Sequence, residues 1–89
     1  MNWVIKQIIK IIARIFSAKK IRENHFNRFE WDLDNLYILI NFDGCDFWYL
    51  RTGDKSDLDA KISKAKKELE RFRLVNVYRE GNLIEFYFM

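Results

Sequence analysis

The sequence predicts an α+β domain of two layers. Its order is α-β-β-β-α-β-β, with both helices on one face of an antiparallel sheet. Three observations predict this. Asp43-Gly44 separates two runs of strand formers, 36–42 and 45–51, and Asp-Gly between such runs is the strongest short hairpin signal. Residues 3–16 repeat apolar side chains at helical spacing. Gly81-Asn82 separates a second pair of alternating runs within 74–89.

The first helix is WVIKQIIKIIARIF, residues 3–16. At about 100° per residue, Val4, Ile5, Ile8, Ile9, Ile11, Ile12, Ile15 and Phe16 fill one broad arc. Lys6, Gln7, Lys10 and Arg14 fill the opposite one. Adjacent pairs of Ile exclude a strand period. A wide apolar stripe of this kind belongs on a core. A membrane surface or a second copy of the chain would also accept it. The recurring cations exclude a signal peptide and a spanning helix, which need uninterrupted apolar runs.

Residues 17–25, SAKKIRENH, read as a basic exit from this helix. His25 is the only histidine. With no neighbouring His or Cys it is no metal site.

Three strands follow, over 26–33, 36–42 and 45–51. Two-residue turns at Asp34-Asn35 and Asp43-Gly44 would set Trp31 opposite Ile38, Ile40 opposite Phe47, and Ile38 opposite Tyr49. One face then carries Phe29, Trp31, Leu33, Ile38, Ile40, Phe42, Phe47 and Tyr49. The other carries Arg28, Glu30, Asp32, Tyr37, Leu39, Asn41, Asp46, Trp48 and Leu50. Side chains alternate in a strand, so a one-residue slip would exchange the two sets.

The second helix lies within 52–73. Asp54 or Ser56 caps it, and Asp57 and Asp59 suit its first turn. Leu58, Ile62, Ala65, Leu69 and Phe72 form a narrow stripe, so the helix buries one side only. In the last hairpin the expected pairs are Val75 with Phe88, Val77 with Phe86, Arg79 with Ile84, Asn76 with Tyr87 and Tyr78 with Glu85.

Eighty-nine residues make one domain, 1–89, and about half of them are hydrophobic. There is no Pro, and the three Gly fall at expected turns. A single Cys, Cys45, excludes an intramolecular disulfide and favours the cytoplasm. Net charge is +3, unevenly spread. Residues 1–23 hold six basic residues and one acid, whereas residues 24–54 hold two basic residues and six acids. Basic charge thus lies on the helices, and acidic charge lies on the first three strands.

Catalysis needs a nucleophile, a base and an orienting group that converge. One His, one Cys and two Ser, scattered over different elements, do not supply them. No Gly-rich phosphate loop or CxxC occurs. The expectation is no enzyme, no cofactor and no metal.

The run SKAKKELER, 63–71, resembles the lysine-rich start of the second helix in double-stranded-RNA-binding domains. The order of the first five elements is also similar to that family's. The resemblance implies nucleic-acid binding through Lys61, Lys64, Lys67 and Arg71. The chain departs from the family in carrying Asp54, Asp57 and Asp59 at the helix start, where they would repel phosphate, and in adding a final hairpin.

The sheet face away from the helices suggests a protein partner instead. Tyr37, Leu39 and Trp48 would anchor it, and Glu30, Asp32 and Asp46 would steer a basic toxin or enzyme onto it. In size, fold outline and lack of catalytic groups the chain is similar to small bacterial immunity proteins and other small inhibitors, without a shared motif. A membrane surface is the least favoured partner.

Overall fold

The fold is that of a computed structural model, which describes residues 3–21, 35–52 and 56–89. The chain is α+β. Helix α1 spans Trp3–Phe16, and strands β1, β2 and β3 span Lys19–Ile21, Asn35–Phe42 and Cys45–Thr52. Helix α2 spans Leu58–Leu69 and runs on into a 3-10 turn, Glu70–Phe72. Strands β4 and β5 span Leu74–Glu80 and Leu83–Phe88.

Helix α1 has the predicted bounds, and a Schellman motif ends it. Ser17 is left-handed at φ +52°. The Ala18 amide donates to the Ala13 carbonyl at 3.0 Å, and the Ser17 amide donates to that of Arg14 at 3.4 Å. These two bonds satisfy carbonyls that the helix end leaves open. They also turn the chain at once into β1. The expected basic exit is therefore a strand, with Ile21 opposite Trp48 and Lys19 opposite Leu50. The expected strand over 26–33 lies outside the described residues.

The sheet order is β1-β3-β2-β5-β4. The β2–β3 hairpin has the predicted register, with Ile40 opposite Phe47 and Ile38 opposite Tyr49. Asp43 and Gly44 both take positive φ, +50° and +86°, as a type I′ turn requires. The sheet is not purely antiparallel. β2 pairs in parallel with β5, with Ile38 beside Ile84 and Ile40 beside Phe86. Both edges of β2 are thus occupied, by β3 and β5. Helix α2 carries the chain across the sheet to β4, and the Gly81 turn returns β5 to the centre. Gly81 has φ +56°, as the first central residue of a type II′ turn does. The expected Val75–Phe88 pair is absent. A bulge lies between Leu74 and Asn76, so Leu74 faces Phe88 and Val75 is extruded, 56% exposed.

One face of the sheet packs under both helices. Ile8, Ile12 and Phe16 of α1, Leu58, Ala65 and Leu69 of α2, and Ile38, Ile40, Ile84 and Phe86 of the sheet share one core. Phe16 meets Phe86 edge to face, ring centroids 6.0 Å apart. Ile8 and Ile12 are fully buried, so the apolar arc of α1 is used on the sheet. No helix among the described residues is long and apolar enough to cross a membrane. Asp57, not Ser56, is the N-cap of α2, and its side chain makes no cap hydrogen bond; Asp54 lies outside the described residues. The Asp57 carboxylate instead pairs with Lys61 at 3.5 Å and lies 3.8 Å from the Arg51 guanidinium.

Candidate binding surface

Strand alternation puts every second residue on the face away from the helices. The observed registers then align these residues in rows across the sheet. Ile21, Trp48, Leu39, Glu85 and Tyr78 make the middle row. Lys19, Leu50, Tyr37, Leu83 and Glu80 lie on one side of it, and Asp46, Asn41, Tyr87 and Asn76 lie on the other. Tyr37, Leu39, Trp48 and Asp46 therefore share one face, as the alternation predicts. Glu30 and Asp32 lie outside the described residues.

Exposure is graded along the middle row. Leu39, on the central strand, is 7% exposed and stands apart from the main core. It cannot serve as an exposed anchor. Trp48, Tyr37 and Leu50 are half-buried. Tyr78, on edge strand β4, is 52% exposed. The accessible part of this face thus lies toward β4 and toward the β2–β3 turn.

There the sheet places two phenols beside two carboxylates. Tyr78 and Tyr87 pack edge to face, centroids 5.5 Å apart. Asn76 Nδ2 donates to Tyr78 Oη at 2.9 Å, which fixes the outer ring. Asn41 Nδ2 donates to Asp46 Oδ1 at 2.6 Å, which orients that carboxylate. Tyr87 ionises above its ordinary range. Burial is the first cause, followed by the charge of Glu85 and the hydrogen bond to it, with smaller effects of Asp46 and Tyr78. The phenol thus senses a negative field. Asp46, Glu80 and Glu85 form no salt bridge among the described residues, and Lys19 is the one basic side chain that the described rows hold. Tyr78, Tyr87 and Glu85 are not among the anchors chosen by sequence, although the alternation of the last hairpin sets both tyrosines on this face.

The helical side carries the opposite charge. Lys6 and Lys10 on α1, and Lys64, Lys66 and Lys67 on α2, are exposed and form no ion pair among the described residues. The four cations expected to meet nucleic acid do not act alike. Lys64 and Lys67 are exposed. Arg71 Cζ lies 4.7 Å from the Phe72 ring centroid, a cation–π contact. Lys61 is half-buried, and its Nζ donates to the Ile15 carbonyl at 3.0 Å.

Among the described residues, no group of three His, Cys, Asp or Glu side chains is placed to hold a metal ion. Cys45 is exposed at the β2–β3 turn and unpaired. No family model, no curated protein and no solved structure matches the chain.

Proposed function

We propose that the chain is a small non-catalytic domain that binds a basic protein through the accessible β4 side of the sheet face away from its helices, in the manner of an inhibitor or immunity protein that neutralises a toxin or enzyme. The observation that carries this reading is the quartet Tyr78, Tyr87, Glu85 and Asp46. Aromatic faces attract a Lys or Arg head group, and adjacent carboxylates complete its coordination. Tyr is also a common interface anchor, because it buries a large rigid area at little entropic cost. The basic helices on the far side orient such an encounter, since a basic partner approaches the acidic side. The lone unpaired Cys45 supports a cytoplasmic setting. The reading requires no cofactor.

A second reading, nucleic-acid binding, rests on Lys64, Lys67 and Arg71. Lys61 is withdrawn from it by its bond to Ile15, and Asp57 and Asp59 at the start of α2 oppose phosphate.

The test is affinity capture from the native lysate, with and without nuclease, followed by titration of the purified partner. Support would be a stoichiometric basic protein that survives nuclease and binds Tyr78→Ala at least ten-fold more weakly. Binding that survives Tyr78→Ala, is lost in the Lys64→Ala/Lys67→Ala variant and falls steeply with salt would move the site to the helices.

A further inference from the structure

A half-open cleft of about 320 Å³ lies at the far end of the helices from the Lys61–Ile15 bond. Val4 of α1, Phe42 of β2, the segment Arg71, Phe72 and Arg73 after α2, and Met89 line it. Four of the six side chains are apolar, two are guanidinium-bearing, and none is acidic. Small-molecule sites occupy roughly 300–1,000 Å³, so this one suits a short ligand.

Part of the wall is held in place. Phe42 stacks on Phe88 with centroids 6.0 Å apart. The Met89 amide donates to the Arg73 carbonyl at 3.3 Å, and the Arg73 amide donates to that of Glu70 at 3.3 Å. Neither Arg71 nor Arg73 forms an ion pair among the described residues. Arg73 also sits at φ +64°. Chain reversals after a helix normally assign that conformation to Gly or Asn, which adopt it with less strain. An arginine here lines the cavity wall in a backbone conformation that Gly would hold with less strain.

We propose that this cavity binds a small amphiphilic carboxylate, a medium-chain fatty acid, independently of the sheet face. The tail packs on Val4, Phe42, Phe72 and Met89, and the carboxylate meets Arg71 and Arg73. The planar guanidinium fork matches a carboxylate's two oxygens. A purely apolar ligand would desolvate the cations without pairing them. A purely polar anion would leave the apolar wall unused.

The test is to titrate the ¹⁵N-labelled full chain with octanoate, octanol and acetate and to follow its amide resonances. Octanoate should give saturable one-to-one shifts at Val4, Phe42 and Met89. Octanol, which lacks the charge-assisted hydrogen bond, and acetate, which lacks the apolar tail, should each bind at least about ten-fold more weakly. Arg71→Gln and Arg73→Gly should each weaken octanoate by about ten-fold on the same ground. Arg73→Gly keeps or raises the thermal midpoint, because Gly suits the φ, so its loss of binding cannot be unfolding. It also separates this site from the nucleic-acid reading, which uses Arg71 alone of the two. Equal affinity for octanol, unchanged octanoate binding in Arg73→Gly, or shifts that never saturate would each overturn the proposal. So would sedimentation with phosphatidylglycerol vesicles without saturable octanoate binding, which would make this end a lipid-surface contact.

Discussion

Lys61 Nζ donates a hydrogen bond to the main-chain carbonyl of Ile15 at 3.0 Å, tying the start of α2 to the end of α1. A cation at this point also complements the negative end of the α1 dipole. Hydrogen bonds from charged groups contribute more than neutral ones, and this side chain is 23% exposed. Lys61→Ala should therefore lower stability by about 1–2 kcal/mol in urea unfolding. Lys64→Ala, on the exposed side, should change it by less than about 0.5 kcal/mol. Equal effects of the two would show that the bond contributes nothing beyond surface charge.

Ser17 offers the opposite case, a residue whose replacement should help. It holds the left-handed position of the Schellman motif at φ +52°. Gly adopts that conformation without the clash a Cβ brings. Ser17→Gly should raise stability by about 0.5–1 kcal/mol, a few degrees in thermal midpoint. A lower midpoint would mean that the Ser side chain makes a bond worth more than the strain.

The same residue explains part of what the sequence could and could not reveal. A Gly at position 17 would have announced a helix stop and a sharp turn. Ser does not, and a three-residue strand, KKI, is too short to alternate visibly. The hairpin at Asp43-Gly44 was legible down to its register, because a two-residue type I′ turn leaves one pairing. The second hairpin was legible except at Val75, since a bulge adds one residue without a composition signal. The parallel β2–β5 pair was not legible. Strand order is decided by which edges meet at long range, and no local pattern encodes that. A hint existed in the run Ile38, Leu39 and Ile40. All three are buried, which is the pattern of a central strand covered on both faces. The candidate surface was half legible for the same reason. Alternation placed Tyr37, Leu39 and Trp48 together on the face away from the helices, but exposure depends on strand order, and Leu39 on the central strand β2 is buried.

Tyr49 links the core to pH. It is 4% exposed, and burial raises its phenol above the ordinary value of 10.0. In the unfolded chain the phenol loses its proton near that ordinary value, while the folded chain still holds it. The folded state then binds more protons, so stability falls as pH rises above 10. Below that value the contribution is complete. Tyr49→Phe should flatten the alkaline limb of the stability profile, measured by unfolding between pH 8 and about pH 11. An unchanged limb would place the alkaline loss on other groups. Tyr87 shifts in the same direction, and Tyr87→Phe in the Tyr49→Phe background would isolate its share.

The last prediction separates fold from recognition on one face of one sheet. Leu39 and Tyr78 both belong to the middle row, with Glu85 between them, yet their exposures are 7% and 52%. Leu39→Ala removes buried methyl groups and leaves a cavity, so it should cost about 2–4 kcal/mol of folding stability. Tyr78→Ala removes a largely exposed ring and should cost less than about 1 kcal/mol of stability. Against the partner the order should reverse. Tyr78→Ala should lose about 2 kcal/mol or more of binding, the scale of an interface hot spot. Leu39→Ala, measured at a temperature where it remains folded, should bind within a few-fold of the parent. Urea unfolding and calorimetric titration of the two variants read both quantities. Should Leu39→Ala lose binding while Tyr78→Ala keeps it, the contact would centre on β2 and β3, and the β4–β5 phenols would be bystanders.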